Sequence, residues 1–106
     1  MAEKVLLGLS TFPDIETARR ISNQLVTEKL CACANILPAV ESIYRWQGNI
    51  ENGSETLVFF KLSEGRKSAF QDELISLHPY DVPELIFLSI DSGSPAYLRW
   101  VAETCA

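Results

Sequence analysis

A chain of 106 residues, 47% apolar and 22% charged, carries enough hydrocarbon for one folded core and is neither disordered nor a membrane protein, since no segment approaches the ~20 apolar residues of a spanning helix. The formal net charge is −5, and no Lys/Arg run exceeds the pairs Arg19-Arg20 and Arg66-Lys67. That balance argues against nucleic-acid binding, which depends on neutralising phosphates, and weakly favours cations as partners.

The first apolar run, Val5 to Leu9, is too short for the core of a secretory signal, and the three cysteines (Cys31, Cys33, Cys105) form an odd, sparse set suited to reduced thiols. Both features predict a cytoplasmic protein. Residues 4–10 read as a strand. Pro13 and Asp14 then mark a helix start, and Ile15, Ala18, Ile21, Ser22 and Leu25 recur at helical spacing, which predicts a helix to about Leu30. Residues 31–47 look extended, with Cys31, Cys33 and Asn35 on one face and an irregularity expected at Pro38. Beyond it Val40, Ser42, Tyr44 and Trp46 share a face. Residues 47–54 are rich in turn formers, and Glu55 to Leu62 completes a long hairpin. Ser63 is the expected cap of a second helix, which ends at His78-Pro79-Tyr80-Asp81-Val82-Pro83-Glu84. Two prolines stiffen that turn, which carries the only histidine. Residues 84–90 form a fourth strand. Ser94-Pro95 opens a short last helix with Tyr97, Leu98, Trp100 and Val101 as its apolar side.

The order β-α-β-β-α-β plus a helix is that of an α+β, ferredoxin-like domain spanning residues 1–106. Helices in that arrangement cover one sheet face. Yet Leu57 to Phe60, Leu85 to Leu88 and Val5 to Leu7 place apolar groups on both faces, because successive side chains alternate. A second copy of the chain is the economical cover, and the hairpin is longer than an isolated domain needs.

Several spaced motifs together resemble the CutA family of divalent-cation tolerance proteins. They are Thr11-Phe12-Pro13-Asp14, Lys29-Leu30-Cys31-Ala32-Cys33-Ala34-Asn35, Tyr44-Arg45-Trp46-Gln47-Gly48, Glu55, His78-Pro79-Tyr80 with Pro83-Glu84, and Tyr97-Leu98-Arg99-Trp100. The resemblance implies a ferredoxin-like homotrimer in which hairpins of adjacent subunits pair, an architecture similar to PII-type signalling trimers. It also implies a non-enzymatic role in tolerance of copper or other divalent ions. Some members place a cysteine before the Thr-x-Pro-Asp motif and a second histidine before His-Pro-Tyr as copper ligands. Here those positions hold Ser10 and Leu77, and only His78 remains.

The chemistry-bearing residues admit more than one reading. Cys31 and Cys33 form either a soft pair for Cu(I) or two small buried hydrophobes. His78 is a metal ligand, an acid–base group, or a structural cap on a helix end. Asn35, Tyr44, Trp46, Glu55, Lys61, Tyr80 and Glu84 are expected at an inter-subunit cleft. There they hold either a small anionic ligand, by analogy with PII-type trimers, or a network of ion pairs and hydrogen bonds. No P-loop, dinucleotide fingerprint or nucleophile elbow is present, so no enzymatic activity is expected.

Overall fold

The computed structural model describes residues 4–106. Eight elements follow in order: β1 (Val5–Phe12), α1 (Ile15–Thr27), β2 (Cys33–Trp46), β3 (Asn49–Ser63), a 3-10 turn (Glu64–Arg66), α2 (Lys67–Leu77), β4 (Ile86–Ser89) and α3 (Pro95–Thr104). The strands form one sheet in the order β2-β3-β1-β4, every neighbouring pair antiparallel.

Helix α1 starts where the Asp14 carboxylate accepts the Thr17 N–H at 2.7 Å, a side-chain cap that also holds the Asp14 carboxyl below its usual range. It stops earlier than its periodicity predicts. Lys29 takes a left-handed φ of 60°, the Leu30 N–H reaches back to the Leu25 carbonyl, and the Lys29 N–H reaches that of Val26. This is a Schellman ending built on a lysine where glycine is usual.

Residues 47–54 are mostly strand. Only Gln47 and Gly48, both at positive φ, make the turn, while Asn49 to Ser54 pair with Trp46 back to Glu41. Two consecutive left-handed residues match the twist of a tight hairpin, and the ladder then overrides the turn propensity of the polar residues. The irregularity expected at Pro38 is present as a register shift between Leu37 and Val40. It changes the parity of β2, so Cys33, Asn35 and Leu37 share a face with Val40, Ser42, Tyr44 and Trp46. Thr56, fully buried, donates its hydroxyl to the Pro38 carbonyl at 3.0 Å and satisfies the distorted backbone.

Helices α1 and α2 cover one sheet face. Ile21, Leu25, Phe70 and Leu74 pack there with Phe12, Val58, Phe60 and Leu62. Phe70 meets Phe60 and Phe87 edge-on, at 5.1 and 6.0 Å between centroids. Val101 on α3 and Cys105 at its C-cap are buried, whereas Tyr97 and Trp100 stay exposed, contrary to the apolar side predicted for this helix. The Ser63 side chain makes no cap. Its N–H and hydroxyl instead engage the Cys105 sulfur at 3.3 and 3.5 Å, fixing α3 to the end of β3.

The opposite face keeps Leu7, Leu9, Leu37, Leu57 and Phe59 half-buried, and Ile86 and Leu88 are 51% and 47% exposed. Past Pro38 the hairpin leaves the body as an arm with Tyr44 and Trp46 on one face and Ile43 and Ile50 on the other, all exposed. The long axis is 47 Å and the radius of gyration 14.4 Å, against about 13 Å for a compact domain of this length. Among the described residues no helix is long and apolar enough to cross a membrane.

Candidate functional site

The residues expected at a site separate into two clusters and several outliers. The first cluster is built by the rigid turn after α2. His78 is 8% exposed and stacks on the buried Phe12 ring at 4.7 Å between centroids. Its Nε2 lies 2.8 Å from the Thr11 carbonyl, and its Nδ1 accepts the Tyr80 N–H at 3.2 Å. Those partners assign the neutral tautomer, with Nε2 carrying the proton. Burial lowers the His78 pKa from its ordinary value, outweighing the Thr11 carbonyl and the Glu55 charge, which act the other way. The Tyr80 hydroxyl donates to Glu55 Oε2 at 2.8 Å. Burial raises the Tyr80 phenol well above its usual range, helped by that hydrogen bond and by the charges of Glu55, Tyr44 and Asp14. Thr11, part of the Thr11-Phe12-Pro13-Asp14 motif but not expected at the site, thus holds the imidazole in place through its backbone carbonyl.

The second cluster sits further along β3, near its C-terminal end, on the open face. Lys61 Nζ donates to Asn35 Oδ1, which also accepts the Cys33 thiol at 3.6 Å. Lys61 and Cys33 are direct cross-strand partners. Tyr97 of α3 joins them, its phenol pKa raised by burial and by the Cys33 sulfur.

The outliers bear on metal chemistry. Cys31 is not in the strand with Cys33. It precedes β2 and is fully buried in the core, where burial and the neighbouring Cys105 and Cys33 push its thiol up to about 12. A thiol held protonated is a poor metal ligand. His78 has both ring nitrogens engaged by backbone. Among the described residues no three His, Cys, Asp or Glu side chains converge on one point. His78, Cys31 and Cys33 therefore do not fit a metal ion as a set within one chain. Ser10, at the position for which the resemblance implies a copper ligand in some members, is buried and donates its hydroxyl to the Glu84 backbone carbonyl at 2.7 Å. The Glu84 side chain is exposed, and Trp46 lies at the arm tip, paired with Asn49.

Comparison with known proteins agrees with this architecture. A family model described as CutA1 divalent ion tolerance protein matches residues 6–104. The chain is 42% identical over 103 residues to the divalent-cation tolerance protein CutA of Thermus thermophilus, covering 97% of each. It is 41% identical over 93 residues to a CutA homologue of Xenopus laevis, covering 88% of this chain but only 62% of the frog protein. The crystal structure of CutA from Xylella fastidiosa superposes with a TM-score of 0.93 at 40% identity, covering 96% of this chain and 98% of that one. The chain belongs to the CutA1 divalent ion tolerance family.

Proposed function

We propose that the protein serves divalent-cation tolerance as a cytoplasmic, non-enzymatic homotrimer of ferredoxin-like protomers whose ligand site forms between subunits. The observation that carries this reading is the uncovered sheet face continuous with the arm. Leu88, Ile86, Trp46 and Tyr44 leave apolar area in water that a soluble protein ordinarily hides at an interface. The strands at the two sheet edges, β2 and β4, offer backbone groups to a neighbour, and a closed ring of copies removes both liabilities at once. The strand order, with two helices on one face, supports the ferredoxin-like assignment.

Divalent ions, copper among them, then meet the protein through hard oxygen donors of the cleft, Glu55 and Glu84, and not through His78 or Cys31. Glu55 retains acceptor capacity beyond its bond to Tyr80. One observation favours the alternative, a PII-like sensor of small anions: among the described residues Lys61 has no carboxylate partner and rests on an amide oxygen. Light scattering tests the assembly, with an expected mass three times the 11.8 kDa of one chain. A stable species of one chain's mass, persisting at micromolar concentration, overturns it. Calorimetric titration with Cu²⁺ separates the ligand readings. His78→Ala is expected to bind as the wild type does and Glu55→Gln more weakly, whereas the reverse order restores the imidazole as ligand.

A further inference from the structure

Of the four asparagines, Asn23, Asn35, Asn49 and Asn52, only Asn52 precedes a glycine; the others precede Gln24, Ile36 and Ile50. The Asn52-Gly53 pair lies on β3 in the arm, with the Asn52 side chain exposed. Asparagine is chemically labile. The backbone nitrogen of the next residue can attack its side-chain carbonyl carbon, and a side chain on that next residue hinders the approach. Gly53 carries none, and an added Cβ there would meet nothing within 4 Å. Glycine also gives the backbone the freedom that ring closure requires.

Two features of the arm govern this chemistry. The Trp46–Asn49 pair closes the tight turn, and hydrogen-bonded pairs recur at every second position from there, at Tyr44–Glu51 and Ser42–Gly53. The Gly53 N–H is therefore tied to Ser42 while the arm is zipped, and its nitrogen is free to react only when the arm opens. Nothing among the described residues covers Ile43 to Asn52, and a lone two-stranded ribbon opens readily. The second feature is the Asn52 amide, which donates to Glu41 Oε2 at 3.3 Å across the ribbon. That tie depends on the N–H group that the reaction removes.

We propose that Asn52-Gly53 is a self-modification site, at which an arm left without a partner converts Asn52 to aspartate or isoaspartate. The Gly53 nitrogen gives up its proton to solvent base and bonds to the Asn52 side-chain carbonyl carbon. The bond from that carbon to Nδ2 breaks, and ammonia leaves after taking up a proton. Water then opens the cyclic imide at either of its carbonyls. Opening at the side-chain carbonyl yields aspartate and sets a carboxylate against that of Glu41, where like charges on neighbouring strands repel. Opening at the backbone carbonyl yields isoaspartate, whose extra backbone carbon puts the ladder out of step with its partner strand. Either product weakens the arm, so a chain that has lost its partners is marked and disfavoured for reassembly. That last consequence rests on the assembly proposed above; the conversion itself does not.

The test incubates the folded protein and the same chain opened in guanidinium chloride side by side at neutral pH. Peptide mass spectrometry follows conversion, and light scattering reads the mass of the folded species. In the opened chain Asn52 is expected to convert severalfold faster than Asn23, Asn35 or Asn49. Gly53→Ala, for which the open space leaves room, should slow that conversion severalfold. In the folded protein Asn52 should convert severalfold more slowly than in the opened chain, and most slowly where the chain is assembled. If the folded chain scatters as a single copy, the assembly fails but its arm is unpartnered at every concentration, and conversion must still be found there. Asn52→Asp, which installs one product directly, should speed deuterium uptake by the arm severalfold, and salt should reduce that effect. The proposal is overturned by an Asn52 that stays intact in the opened chain, or by Gly53→Ala converting as fast as the wild type. Equal rates in the assembled and opened chains, or Asn52→Asp with unchanged uptake, overturn it as well.

Discussion

Replacing His78 by alanine tests whether the imidazole is structural. The side chain makes two neutral hydrogen bonds, to the Thr11 carbonyl and from the Tyr80 N–H, and one ring stack on Phe12. At about 1 kcal/mol for each bond and roughly 0.5–1.5 kcal/mol for the stack, His78→Ala should cost about 3 kcal/mol. That is a large share of the ~5–15 kcal/mol by which domains are stable. Urea unfolding at fixed protomer concentration reads this directly, because any assembly makes stability concentration-dependent. The same geometry fixes a pH dependence. Protonating Nδ1 would point a donor at the Tyr80 N–H, and burial already holds the folded-state pKa below the ordinary 6.5. The group's contribution is therefore complete above pH 6.5 and is lost as pH falls through the lower folded value. His78→Gln should remove that component, so the wild type minus variant difference shrinks on acidification while carboxylate titrations cancel. A difference that grows toward acid, or an alanine variant as stable as the wild type, would refute the structural account of His78.

Three further outcomes follow from local geometry. Lys29→Gly should stabilise by about 0.5–1 kcal/mol in urea unfolding, since it places glycine at the left-handed residue of the α1 ending. At the hairpin turn Gln47→Asn should stabilise by about 0.5 kcal/mol, while Gly48→Ala should destabilise by about 1 kcal/mol through backbone strain alone, because an added Cβ at Gly48 meets nothing within 4 Å. Iodoacetamide under native conditions should label Cys33 alone, Cys31 and Cys105 reacting only after unfolding, as intact-mass spectrometry would register; early labelling of Cys31 contradicts its burial.

Periodicity revealed the helices and the order of elements along the chain because Ile21 and Leu25 on α1, and Phe70 and Leu74 on α2, repeat at helical spacing and β3 alternates buried with half-buried residues. It overran α1 because a lysine at positive φ leaves no glycine-like signature in the sequence. It mistook residues 49–54 for turn because polar residues in an arm owe their extended form to a facing strand, a non-local cause. Pro38 did mark its irregularity. At the site, His78, Tyr80 and Glu55 do converge, as do Asn35 and Lys61, but as two groups, one at the middle of β3 and one near its C-terminal end. The pairing of Cys31 with Cys33 on one strand face failed because the chain bends before β2 begins. The burial of Cys105 was not anticipated, although it follows Val101 by four residues, a helical spacing that foreshadows their joint burial.

Past Pro38 the arm is exposed on both faces from Ile43 to Asn52, and among the described residues nothing covers that stretch. A lone ribbon of this kind is only marginally ordered in solvent. Deuterium should therefore enter the amides of Glu41 to Ser54 rapidly in a solitary chain and slowly once another molecule shelters them. The arm thus serves as a built-in, label-free gauge of companionship, readable peptide by peptide while the remainder of the domain stays silent.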